Sequence, residues 1–142
     1  MLAVAMVAGA TPTKDTNPSL AGTAQVGATL TLTQGTYTAS GTDPVVRAES
    51  WQRCNNAGGG GCDALSPQPS GLSYQLQGAD LGKFIRVTET ASDGSGDPVV
   101  TDTNSIGPIA AAPQAPAKTT DPVVSAPDLV FDQTPPSVTV QP

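Results

Sequence analysis

The chain has 142 residues and a net charge of −6; it is 37% hydrophobic but only 4% aromatic, and Gly and Pro number 15 and 14. With no His it can build neither a Ser-His-Asp nor a Cys-His unit and offers no imidazole metal ligand. Six scattered Lys and Arg make no phosphate-tracking stripe, which argues against nucleic acid as a partner, and no run of eighteen apolar residues is present to span a membrane as a helix.

Residues 1–16, MLAVAMVAGATPTKDT, begin with ten uncharged small or apolar residues. They admit two readings. One is a secretory signal with an apolar stretch from Leu2 to Ala8 and a cleavage-like Ala8-Gly9-Ala10. The other is an apolar arm anchored by Leu2, Val4 and Val7. The basic stretch that opens a signal is missing and the apolar stretch is short, so the arm is preferred.

Residues 17–110 read as a β domain. Ala28 to Thr33 alternates apolar and polar with period two, which puts Leu30 and Leu32 on a core face and the threonines in solvent. A second run, Val45 to Cys54, centres on Trp51, the only Trp. Leu72 to Leu76 alternates and carries Tyr74 and Leu76. Phe84 to Ala91 puts Ile85 and Val87 on one face, and a fifth run lies between Val99 and Ile109. Gly, Pro, Asp and Ser clusters separate the runs. Short strands punctuated by turns, with no helical period, imply a sandwich or small barrel.

Residues 111–142 form a Pro-rich tail, with prolines at 113, 116, 122, 127, 135, 136 and 142. Proline at this density favours extended chain over a packed domain. Two short apolar runs, Leu129-Val130-Phe131 and Val138-Thr139-Val140, are expected to be anchors that dock on a neighbour, with Val138 and Val140 on one side of the second.

Few residues offer chemistry. Cys54 and Cys62 flank a loop ending in four glycines, Gly58 to Gly61, flexible enough to bring the sulfurs together. Zinc needs four ligands and a redox pair is normally spaced C-x-x-C, so a structural disulfide is expected, and with it an oxidising setting. Asp93 and Asp97 flank a Gly-rich turn but lack the alternating ligands of a calcium loop, so a plain turn is preferred. Trp51 and Tyr74 are either a sugar-stacking pair or core, and a lone Trp on a central strand favours core. Arg47, Arg53 and Arg86 are expected to pair with Glu49 or Glu89. No catalytic residue, metal or cofactor is assigned.

Gly22 to Leu30, Gly35-Thr36-Tyr37, Trp51-Gln52-Arg53-Cys54, Cys62, Tyr74, Leu76, Asp80-Leu81-Gly82-Lys83 and Ile85-Arg86-Val87 together resemble the bacterial Ig-like repeat module of secreted and cell-surface proteins, especially of actinobacteria. Related modules occur on phage virions. The resemblance covers residues 17–110. It implies an immunoglobulin-like antiparallel β-sandwich with Trp51 in the core and Cys54 bridged to Cys62, here with extended N- and C-terminal arms. Asp80-x-Gly82-x-Phe84 resembles the corner before strand F, with Phe84 where Tyr is common. Glu89 departs from the pattern, because alternation from Ile85 and Val87 turns it inward. It then needs a partner such as Arg86 or Arg47, or a bulge.

Modules of this kind are non-catalytic spacers, adhesive units or decorations, so the expected function is structural. The preferred reading is a virion component, a phage capsid decoration or tail-associated protein, held to neighbouring proteins or to itself by its arms. The alternative is an extracellular spacer or adhesion module with weak cell-surface or glycan contact through the loops at 55–61 and 93–97.

Overall fold

The computed structural model describes residues 9–118. The anchors at Leu2, Val4, Val7, Leu129, Val130, Phe131, Val138 and Val140 lie outside them. The described chain is an all-β sandwich of nine strands: β1 (Thr13–Lys14), β2 (Ser19–Ala21), β3 (Thr29–Thr33), β4 (Tyr37–Thr38), β5 (Val46–Cys54), β6 (Asp63–Ala64), β7 (Ser73–Gln75), β8 (Phe84–Ser92) and β9 (Val99–Asp102), with one short 3-10 turn at Gly78–Asp80. One sheet runs β2-β3-β7 and the other β6-β5-β8-β9, while β1 pairs with β4 alone. All strand pairings are antiparallel.

The longest ladder joins β5 to β8 without interruption, from Val46 opposite Ser92 to Cys54 opposite Phe84. Side chains alternate across a strand, so Ile85, Val87, Glu89 and Ala91 all turn inward and are buried. Leu20, Leu30 and Leu32 from one sheet meet Trp51, Ile85 and Val87 from the other, and Leu65, Leu76 and Ile109 complete the core. Tyr74 packs against this cluster from its margin, its ring centroid 5.8 Å from that of Trp51. With Trp51 only 1% exposed, the sugar-stacking reading of that residue is excluded.

The structure departs from the sequence reading at its short elements. The stretch 1–16, read as an arm, contributes β1, whose Thr13 and Lys14 pair with Thr38 and Tyr37, and Pro12 beside it is buried. Strands of two or three residues leave no periodicity to read. Beyond β9 the chain continues beside the sandwich: Ile106 bridges Ile85, Ile109 bridges Leu81, and Ala110 bridges Gln25. Residues 111–118 add no strand.

Two side-chain amides act as one-residue strands. Gln68 accepts from the Trp51 N–H at 2.8 Å and donates to the Trp51 carbonyl at 3.0 Å. Asn104 does the same for Leu20, accepting from its N–H at 2.8 Å and donating to its carbonyl at 3.0 Å. Each bonds both backbone groups of a core residue, although the Trp51 carbonyl also accepts from the Leu65 N–H at 2.9 Å. Asn104→Ala strips both bonds from Leu20 and is expected to destabilise the fold by about 1–3 kcal/mol. Chemical denaturation checks this, and an unchanged midpoint would assign Asn104 no such role.

Candidate interaction site

Three polar clusters sit at the margins of the core, and each is built by the ladder register. The first is at the Phe84 end. Asp80 is fully buried, yet its Oδ1 accepts from Arg53 Nε at 2.7 Å and its Oδ2 from the Tyr74 hydroxyl at 2.8 Å and the Gln77 N–H at 2.7 Å. Arg53 also forms an ion pair with it. Burial, then the neighbouring Asp80 carboxylate, pushes the Tyr74 phenol up to about 12. The corner expected at Asp80, Gly82 and Phe84 therefore takes its phenol from Tyr74 on β7. Gly82, at φ +73°, makes the left-handed turn that lets its N–H reach the Ile109 carbonyl at 2.8 Å.

The second cluster surrounds Glu89. Its Oε1 accepts from the Gly35 N–H at 3.0 Å and the Tyr37 hydroxyl at 2.8 Å. This corrects the expectation of an arginine partner or a bulge. The ladder is unbroken, Arg86 alternates to the outer face and pairs with Asp102 at 2.9 Å, and Arg47 donates to the Gly35 carbonyl. Nor does Arg53 pair with a glutamate, since it is committed to Asp80. Glu49 lies directly across the ladder from Glu89, a like-charge position that is costly unless other groups intervene; the Gln34 amide donates to Glu49. Burial pushes the Tyr37 phenol up, and Glu89 adds to this.

The third cluster fixes the β8–β9 turn. Asp93 Oδ2 accepts from the Ser40 N–H at 2.7 Å and hydroxyl at 2.6 Å, and Oδ1 from the Ser95 N–H at 3.0 Å. These bonds, the Ser40 hydroxyl foremost, lower the Asp93 carboxyl to about 2. Both oxygens of Asp93 thus serve the turn.

The loop at 55–61 is closed by the Cys54–Cys62 disulfide. It is braced by the Asn55 N–H on the Gly60 carbonyl at 3.0 Å and by Lys83 Nζ on the Asn55 side chain at 2.7 Å. Gly59 and Gly61 both take positive φ there, at +79° and +59°, conformations a side chain would strain. This loop lies at the Cys54 end of the ladder and the turn at 93–97 at the Ser92 end. A nine-residue antiparallel strand puts them about 27 Å apart, so the two loops do not form one surface.

What gathers instead is a cleft at the Ser92 end. Asp43, Pro44, Val46, Ser92, Asp93 and Gly94 line an open hollow of about 480 Å³. Its walls are mostly apolar, and Val46 stands 67% exposed. Of its two carboxylates, Asp43 is exposed and Asp93 is buried. The sequence marked the turn but not the hollow, which arises only when the 41–44 loop is folded against the turn. Among the described residues, no group of three or more His, Cys, Asp or Glu converges to hold a metal ion, and no helix is long and apolar enough to cross a membrane. No protein-family model, curated protein or solved structure matches this chain.

Because the Asp93 carboxyl is held low, its contribution to stability is present above about pH 4 and is lost as the pH falls through about 2. Asp93→Asn is expected to be less stable than the parent at neutral pH, and the gap should close between about pH 4 and pH 2. Denaturation midpoints across that range check this; a gap independent of pH would contradict it.

Proposed function

We propose that this chain is a non-catalytic, Ig-like structural protein of a larger assembly, a virion component such as a phage capsid decoration or tail-associated protein, attached to its neighbours through its terminal segments. The observation that carries this reading is the polarity of the sandwich. The chain enters at the Ser92 end of the ladder, where Gly9 lies against Ser95 and Gly96. It passes Ala110 at the opposite end, where Ile109 bridges Leu81 and donates to the Lys83 carbonyl. A sandwich that carries residue 9 at one pole and residue 110 at the other is suited to a strut. The apolar runs at 129–131 and 138–140 suit residues 119–142 to docking on a neighbour. The sheet orders β2-β3-β7 and β6-β5-β8-β9, with Trp51 buried on a central strand, support the Ig-like resemblance. Both carboxylate oxygens of Asp80 and of Asp93 are occupied by structural bonds, which favours a frame over a catalyst.

A second reading, an extracellular bacterial spacer or adhesion module, is favoured by the Cys54–Cys62 disulfide, which suits an oxidising compartment, and by the same end-to-end polarity.

Limited proteolysis with intact-mass readout tests the assembly reading, on the isolated chain and on native particles that carry it. A nonspecific protease is expected to trim the isolated chain beyond residue 118 and to spare those residues in the particle. An isolated chain resistant from end to end would overturn docking by this segment and favour the free-standing module.

A further inference from the structure

Among the large apolar side chains exposed on the sandwich, two stand at opposite poles. Val46, 67% exposed, lines the hollow at the Ser92 end. Leu81, 53% exposed, stands at the other pole, between the 3-10 turn and the start of β8. Its neighbours are bonded inward, the Asp80 carboxylate to Arg53 and the Gly82 N–H to the Ile109 carbonyl, and Leu81 between them is left to solvent. The turn is open around it, since a Cβ on Gly78 or on Gly82 would meet no atom within 4 Å. The poles also differ in charge. Lys83, two residues from Leu81, sets its ammonium on the Asn55 side chain, and the loop at 55–61 has no charged residue. Asp80 and Arg53 offset each other, and the exposed Asp63 lies on β6, with β5 between it and β8. Beside the hollow, Asp43 and Asp97 are exposed carboxylates, while Arg47 is turned to the Gly35 carbonyl.

We propose that the hollow receives Leu81 of a second copy of this chain, so that copies join head to tail, with Lys83 of one copy facing Asp43 and Asp97 of the next. A single exposed leucine is ordinary on a protein surface. Here, however, one chain carries an apolar side chain flanked by a cation and an apolar hollow flanked by carboxylates. The length of β8, about 27 Å, separates them, so Leu81 cannot enter the hollow of its own copy. The contact is therefore heterologous: it joins two different patches and leaves a free hollow at one end of a row and a free Leu81 at the other. Burial of Leu81 against Pro44 and Val46 supplies the attraction, and the opposite charges set the orientation. One turn in one hollow makes a small interface, so the association is weak. It is a property of the sandwich and does not depend on docking by the terminal segments.

Sedimentation velocity of the full chain, at concentrations up to about millimolar, tests this. The parent is expected to pass beyond the dimer as concentration rises, because a heterologous contact of this kind does not close, and to associate less at high salt. Leu81→Asp and Val46→Asp each spoil one side of the contact and are each expected to weaken self-association at least about tenfold. Both positions are exposed, so both variants are expected to fold, which the near-ultraviolet signal of Trp51 checks. Mixed in equal amounts, the two variants are expected to form a one-to-one dimer and nothing larger, since one retains Leu81 and the other retains the hollow. A parent that stays monomeric throughout, a folded Leu81→Asp variant that associates as strongly as the parent, or a mixture of folded variants that stays monomeric would overturn the proposal. Protection of residues 119–142 in native particles is a separate readout, so this contact and the assembly reading can fail independently.

Discussion

The rest of the molecule depends on the unbroken pairing of β5 with β8. Nine residue pairs in one register decide which side chains turn inward, and with them where the core ends and the polar clusters begin. Trp51 meets Val87 one pair from the centre of the ladder and seals the sandwich against Leu30 and Leu32. Two residues further along, the same alternation drives Glu89 inward, and another two bring Ala91 and then Asp93 to the turn. A slip of one residue would exchange the two faces of β8, burying Arg86 and exposing Val87. The inward carboxylates are therefore consequences of a register that the apolar residues enforce.

Each buried carboxylate is answered by donors that the fold packs against it, and for Asp80 one of them is the charged Arg53 guanidinium. Asp80 is saturated by Arg53, Tyr74 and Gln77, and Asp93 by Ser40 and Ser95. Glu89 relies on one backbone N–H and one phenol. Gln68 and Asn104 serve the backbone in the same way, each bonding both backbone groups of a core residue. In a chain with 4% aromatic residues, these polar fasteners hold together a sandwich whose apolar core is small. A burial left without a partner would cost about 1–3 kcal/mol, a large share of the stability of a domain this size.

The long strands were legible because alternation over five or more residues is a strong signal. Leu30 and Leu32, Trp51, Ile85 and Val87 all occupy the inward positions their spacing implied. The short strands β1, β2, β4 and β6 were not, since two or three residues carry no period. Partner identities were harder still. Glu89 advertised a need by breaking the pattern, yet its donors come from Gly35 and Tyr37, more than fifty residues away, and sequence distance hides such pairs. Gln68 and Asn104 look like ordinary loop residues until the strands they imitate are in place. The cleft was likewise invisible, because it belongs to two loops whose juxtaposition is set by the ladder.

Native-state hydrogen exchange, read residue by residue, tests the primacy of the ladder most directly. The hydrogen-bonded amides of β5 and β8 are expected to exchange only through global unfolding and to share the highest protection in the molecule. Exchange of those amides at a lower free energy than the β2-β3-β7 sheet would contradict it, and would make the smaller sheet the element on which the sandwich is built.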